Sequence, residues 1–301
     1  MHSAVMFKRE FKYYKSRCPP PLFDNIVNFD LNVGLNSKVT KIRPIVSSEH
    51  KNCSRYGLVE VTQWKIFEFL DKLGLIFIVN PFTNQGQQYW VQQCLQEYTK
   101  KPNKLNIDPF KELQPGEELW ETAQKKDGLL KKLRWATLGY HHNWDTKEYS
   151  EKARDEFPPE LAELSRLIVK AIGDPAGDSY RAEAAIINFY HLDSTLSGHK
   201  DVSEPNMTSP LLSVSFGQSA IFLVGGDSLD DPVKAMFLHS GDIVVMSGPA
   251  RCYYHGIPRI VPTQTEDRPW VGGGWELTAA GRYLDTSRIN MNVRQVLLPG
   301  E

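Results

Sequence analysis

The sequence predicts an α+β fold with a mainly β core, an antiparallel sandwich or barrel carrying an N-terminal helical extension and flanking helices. Three observations carry that prediction. From Ala184 onward, short apolar runs follow one another between Gly, Pro and Asp, the texture of several short strands joined by turns. Two stretches further upstream place apolar residues at helical spacing. The first 60 or so residues show no sustained period of either kind and read as an extension over 1–80, ahead of a main domain over 81–298.

A short helix is expected over Lys8 to Lys15, broken by Pro19, Pro20 and Pro21. Between Gly86 and Lys100, Val91, Cys94, Leu95 and Tyr98 fall on one helical face, and Pro102 closes the segment. A second amphipathic helix is expected over Pro159 to Ile172, where Leu161, Leu164, Ile168 and Ala171 form a stripe between Pro159 and Gly173. Strands are expected over Ala185–Tyr190, Leu211–Phe216, Ala220–Val224, Lys234–Leu238, Asp242–Met246 and Ile289–Val296. Pro258 to Thr286, with Pro262, Pro269 and Gly272-Gly273-Gly274, reads as a long mobile loop.

Composition narrows the function classes. With 35 basic and 36 acidic residues among 301, and 41% hydrophobic, the chain is an ordinary ordered protein. No apolar run, Leu75 to Val79 for example, exceeds five residues, against roughly 20 for a membrane-spanning helix. The four cysteines, Cys18, Cys53, Cys94 and Cys252, form no CxxC pair, which argues against a zinc knuckle or disulfide framework and for a reducing compartment. A net charge of -1 gives no global attraction to nucleic acid. Two basic clusters stand out nonetheless, Lys8, Arg9, Lys12, Lys15 and Arg17, then Lys125, Lys126, Lys131, Lys132 and Arg134. Each reads as solvated surface until another feature supports phosphate contact. The first also has some character of a targeting signal.

The strongest chemical signal is His199-Lys200-Asp201. In an extended segment His199 and Asp201 project to one face, so both can ligate one metal. A second imidazole from another strand would complete the two-His, one-carboxylate set that holds non-haem Fe(II). His255 is the best candidate and His239 the rival. A bare HxD triplet often arises by chance, and a lone His beside an Asp is more often a surface pair.

Arg288-Ile289-Asn290-Met291-Asn292-Val293-Arg294 alternates polar and apolar residues, placing two guanidiniums and two amides on one face of a strand. On the inner face of a barrel such a row is costly unless an anion sits there. A dicarboxylate would satisfy it, gripped by a guanidinium fork. The plain alternative is an edge strand whose polar face meets water. Asn188 and Tyr190 share one face of an upstream strand and could reach the same anion.

Taken together, Asn188-Phe189-Tyr190, His199-x-Asp201, Leu212 to Gly217, His239-Ser240-Gly241-Asp242, His255 and Arg288-x-Asn290-x3-Arg294 resemble the AlkB family of Fe(II)- and 2-oxoglutarate-dependent dioxygenases. Leu133-Arg134-Trp135, Gly139-Tyr140-His141, Asn143-Trp144-Asp145 and Phe216 to Leu223 look most like its eukaryotic homologue 1 group. The resemblance implies a double-stranded β-helix (jelly roll) over about 182–298, preceded by a nucleotide-recognition segment over about 125–150. It implies that His199, Asp201 and His255 are the catalytic iron ligands. Arg288 would clamp the distal carboxylate of 2-oxoglutarate, with Asn188, Tyr190, Asn290 and Arg294 holding the rest. Trp135 and Tyr140 would meet the base, and Lys131, Lys132 and Arg134 its phosphates. The family commonly has Thr where this chain has Asn292, and 258–286 has no counterpart.

The implied activity is oxidative demethylation of nucleic-acid bases with O2 as cosubstrate, releasing formaldehyde and succinate. Implied substrates are 1-methyladenine or modified cytosine in tRNA, and N6-methyladenine or 3-methylcytosine in unpaired DNA. The expected protein is a monomer without membrane attachment, in the nucleus or mitochondrion, with the cytoplasm as a further compartment. Two other readings are carried: a 2-oxoglutarate-dependent protein (histone) demethylase or hydroxylase, and a nucleic-acid-binding protein with abasic-site lyase activity.

Overall fold

The computed structural model describes residues 5–31 and 39–298. The first half of the chain holds α1 (Met6–Lys15), β1 (Val39–Ile42), β2 (Lys65–Phe69), β3 (Leu75–Val79), α2 (Asn84–Gln92), β4 (Lys104–Leu105), α3 (Leu119–Ala123), α4 (Leu129–Lys132) and β5 (Trp135–Gly139). There follow α5 (Pro159–Ala171), β6 (Ala184–His191), β7 (Leu196–His199), β8 (Leu211–Gly217), β9 (Ser219–Val224), β10 (Lys234–Leu238), β11 (Ile243–Met246), β12 (His255–Val261), α6 (Ala279–Leu284) and β13 (Ser287–Arg294).

Among the described residues these strands make a nine-stranded sheet, ordered β1-β2-β3-β11-β8-β13-β6-β5-β4, and a four-stranded sheet, β10-β9-β12-β7. The two pack face to face. Phe67, Phe77, Tyr190, Val244 and Met246 of the large sheet meet Phe222, Val224, Met236, Leu238 and Ile257 of the small one. This is the double-stranded β-helix that the sequence implied.

Helices cover the outer faces. The stripe Leu161, Leu164, Ile168 and Ala171 of α5, together with Trp90 and Val91 of α2, packs on Ile187, Phe216, Ile289 and Met291 of the large sheet. On the other side, Phe7 and Tyr14 of α1 pack on Ile221 and Leu223 of β9. Both β9 and β13 are buried on both faces. β9 is apolar after Ser219 because both faces meet apolar side chains, whereas β13 alternates because Arg288, Asn290 and Asn292 line a cavity between the sheets.

The expected division at residue 80 does not follow the sheet. β3 pairs with β11 in the middle of the large sheet, and β1 and β2 extend that edge. Helix α1 is tied in as well: a Cβ built on Gly198 would lie 2.5 Å from the Phe7 ring, so the residue before His199 has to be glycine for the helix to seat.

The stretch 258–286 is likewise not one loop, since it contains the rest of β12 and all of α6. Pro258 is accommodated because β12 slips register against β9 between Gly256 and Arg259. The helix expected over 86–100 is α-helical only to Gln92 and continues as a wider turn over Gln93–Glu97, which buries Cys94 and Leu95. No helix among the described residues is long and apolar enough to cross a membrane.

Candidate active site

His199 ends β7 and His255 begins β12, and the antiparallel pairing sets the two directly opposite each other. Asp201 follows two residues beyond β7. One ligand atom from each of the three lies within 4.8 Å of the others. Asp201 Oδ2 is 3.5 Å from His255 Nε2, and Oδ1 is 3.9 Å from His199 Nε2. His239 is not in this cluster; its Nδ1 is 2.8 Å from Ser219 Oγ.

The ring tautomers are set by the backbone. His199 Nδ1 lies 2.9 Å from the Ser197 carbonyl and His255 Nδ1 3.1 Å from the Tyr253 carbonyl. A carbonyl only accepts, so each Nδ1 carries the proton and donates it, leaving the Nε2 lone pair facing Asp201. Burial opposes charge on Asp201, but the nearby Arg294 guanidinium outweighs it and holds the carboxyl well below its usual range. Asp201 Oδ2 is buried with no hydrogen-bond partner. Two imidazole lone pairs and an unsatisfied carboxylate oxygen converging on one point fit a divalent metal of the Fe(II) type.

The polar row of β13 faces the small sheet, as its alternation required. Arg288 is 1% exposed, donates from Nη2 to Ser215 Oγ at 2.7 Å, and stacks 5.4 Å over the Tyr190 ring. Its Nε and Nη1 have no partner, and among the described residues no carboxylate pairs with it. Burial pulls its pKa down to about 10 and pushes the Tyr190 phenol up to about 12. Arg288, Asn290, Tyr190 and His255 line one narrow cavity between the sheets. An orphaned guanidinium in a cavity that His255 also lines fits a dicarboxylate such as 2-oxoglutarate.

One member of the expected cosubstrate set sits elsewhere. Asn188 lines the next chamber outward. Arg294 is engaged by protein acids through one nitrogen, Nη1, which is 2.5 Å from Glu204 and 3.6 Å from Asp201 Oδ1, while its Nε and Nη2 are buried without a partner. Glu204 also pairs with Arg251 at 3.1 Å, and Arg251 Nη1 donates to the Asp201 carbonyl at 2.9 Å. Sequence reading missed Glu204 and Arg251. Neither stands in a periodic pattern, and only the folded chain shows that both are buried behind Asp201.

The outer chamber, about 380 Å³, is lined by Arg134, Trp135, Trp144, Asn188, Tyr190 and Leu196 among others. The Trp135 and Trp144 rings stand 5.2 Å apart at 38°. Tyr190 and Leu196 also line the inner cavity, so the two spaces adjoin. The structure does not bring Tyr140 here. That side chain is buried, and its hydroxyl is held between Glu151 and Arg154. Lys131 and Arg134 lie at the rim of a neighbouring cavity, while Lys132 is paired with Glu112 at 2.6 Å.

Residues 74–294 match the 2OG-Fe(II) oxygenase superfamily. The chain is 40% identical to the mouse protein named nucleic acid dioxygenase ALKBH1, over 95% of this chain and 77% of that protein. It is 37% identical to the human protein of the same name, over 97% of this chain and 84% of that one. It is 34% identical to tRNA demethylase abh1 of Schizosaccharomyces pombe, over 80% of this chain and 84% of that protein. With a matching catalytic-domain span and relatives of this similarity along most of its length, the chain belongs to the 2OG-Fe(II) oxygenase superfamily, in its AlkB family, whose cofactors are Fe(II) and 2-oxoglutarate.

Proposed function

We propose that this protein is a nucleic acid demethylase that oxidises N-methyl groups on unpaired bases, releasing formaldehyde and succinate. The observation that carries the reading is the outer chamber, with its two indoles and Arg134, which shares the lining residues Tyr190 and Leu196 with the cavity that His255 and Arg288 line. The names of the relatives, a nucleic acid dioxygenase and a tRNA demethylase, support it from a second direction.

His199, Asp201 and His255 hold Fe(II), which with 2-oxoglutarate and O2 supplies the oxidation of the methyl carbon. Arg288, whose Nε and Nη1 are buried without a partner, would hold the distal carboxylate, with Tyr190 and Asn290 lining the same cavity. Arg294 acts on Asp201, keeping its carboxylate charged and oriented. A base inside a duplex cannot reach the chamber, so the substrate nucleotide is flipped or already unpaired. Trp135 and Trp144 stack on its ring, fixing the methyl group toward the histidines. The compartment, nucleus or mitochondrion, and the monomeric state belong to the same proposal and rest on the resemblance.

A methylated peptide is the competing substrate, because paired indoles can also seat a methylammonium group. The test is formaldehyde release from a panel of modified oligonucleotides, RNA and DNA, paired and bulged, beside methylated histone peptides. Release from the unpaired oligonucleotides is expected; release from the peptides alone would overturn the reading.

A further inference from the structure

A second cavity, about 540 Å³, lies beside the outer chamber and shares Arg134 and Asp193 with it. The catalytic chemistry does not use it, yet it has the size and make-up of a ligand site. Its rim gathers cations from both basic clusters, Arg17 from the N-terminal one and Lys131 and Arg134 from the other. The sequence keeps these more than a hundred positions apart. Among the described residues none of the three forms an ion pair. Lys126 also lines the rim but is paired with Glu112 at 3.2 Å, and two exposed acids, Asp127 and Asp193, complete it.

The cavity wall is different in kind. Tyr283 is 8% exposed, and its hydroxyl is buried without a hydrogen-bond partner. His191 follows Tyr190 on β6 and so projects to the opposite side from the active site. Its Nδ1 is 3.2 Å from Ser287 Oγ, while its Nε2 is buried and unpartnered. Burial, then Arg134, lowers the pKa of this imidazole, and burial raises that of the phenol, so both are uncharged at neutral pH. Ala123, Leu130 and Leu192 supply apolar wall. Neutral donor and acceptor groups deep in an apolar slot suit the edge of a heterocycle. Free cations at its mouth suit a phosphate.

We propose that this cavity is a second nucleotide subsite, taking the base of the nucleotide next to the one being oxidised, with the linking phosphate at Arg134 and Lys131. Arg134 and Asp193 line both chambers, and the linking phosphate would sit at this shared boundary. The position of the subsite relative to the oxidised base rests on the demethylase reading.

Fluorescence anisotropy on the full chain tests it, using a labelled unpaired oligonucleotide with one N-methyladenine. Three probes are compared: the parent, one with an abasic spacer on the 5′ side of the modified base, and one with the spacer on the 3′ side. One flank only should matter, weakening binding about tenfold, the worth of one stacked base. Ala123→Trp, which fills the slot, should make the parent bind like that abasic probe and erase the difference. Tyr283→Phe should reduce the difference without changing the shape of the slot. Equal binding of all three probes, or a flank effect that survives Ala123→Trp, would overturn the subsite. So would adenosine monophosphate competing in an Ala123→Trp-sensitive way while neither spacer has an effect, which would make this a site for free nucleotide. Formaldehyde is measured in parallel. A flank effect without demethylation refutes the demethylase reading alone; demethylation without a flank effect refutes the subsite alone.

Discussion

His199 and His255 are direct cross-strand partners, their rings 4.4 Å apart between centroids. The pairing of β7 with β12, not proximity in sequence, therefore builds the metal centre. His255→Ala should lower bound Fe(II) from one equivalent to near zero, whereas His239→Ala, whose ring bonds to Ser219, should keep it. Metal content after equilibrium dialysis measures both, and the reverse pattern would reassign the third ligand.

Arg288 is a buried cation without a protein anion. Arg288→Met should raise the 2-oxoglutarate requirement roughly 10- to 100-fold, the value of a charge-assisted hydrogen bond. It should also raise the melting temperature of the ligand-free protein, because an uncompensated buried charge is removed. Arg288→Lys restores charge without the fork and should fall between the two. A KM for 2-oxoglutarate that does not move would reject the clamp.

Glu204 joins Arg251 to Arg294 in a buried cluster behind Asp201. Glu204→Gln removes the charge shared by two buried guanidiniums, leaving Arg251 without an acid and Arg294 with Asp201 alone, and should cost about 3–5 kcal/mol of stability. Burial opposes its charge, but Arg294 and Arg251 prevail and hold its pKa below the usual 4.5. A carboxylate with a depressed folded pKa contributes stability that is complete above the unfolded value and fades as pH falls toward the folded one. The gap between wild type and Glu204→Gln in denaturant melts should therefore be constant near neutrality and close on acidification below about pH 4.5. A gap independent of pH would mean that the cluster acts by shape alone.

Lys131 and Lys132 are adjacent in sequence but not equivalent. Lys132 is already paired with Glu112 at 2.6 Å, while Lys131 lines the cavity rim. Lys131→Ala should weaken oligonucleotide binding and lower the slope of log K against log salt by about 1; Lys132→Ala should change it little. Equal effects would place the strand over both.

How far the sequence was legible depends on the range of the interactions. Helix α5 was readable because its stripe, its Pro159 start and its Gly173 stop are local. The polar face of β13 was readable because alternation is local too, and it pointed inward as inferred. β3 was not identified, although no apolar run in the chain is longer than Leu75 to Val79, because its partner β11 lies more than 160 residues on. β12 was hidden by Pro258 and Gly256, which normally end strands and here sit at a bulge. Tyr140 matched a motif position, but a hydroxyl committed to Glu151 and Arg154 cannot serve a base. Glu204 carried no local signal, since its role exists only where three distant segments meet.

The central claim is tested most directly by counting products. Wild-type protein given Fe(II), 2-oxoglutarate, O2 and an unpaired N-methylated oligonucleotide should form one formaldehyde for each succinate above the substrate-free background. Asp201→Ala should form neither while still binding the strand, and a methylated histone peptide should add nothing. Formaldehyde from the peptide but not the oligonucleotide, or undiminished turnover by Asp201→Ala, would contradict the account.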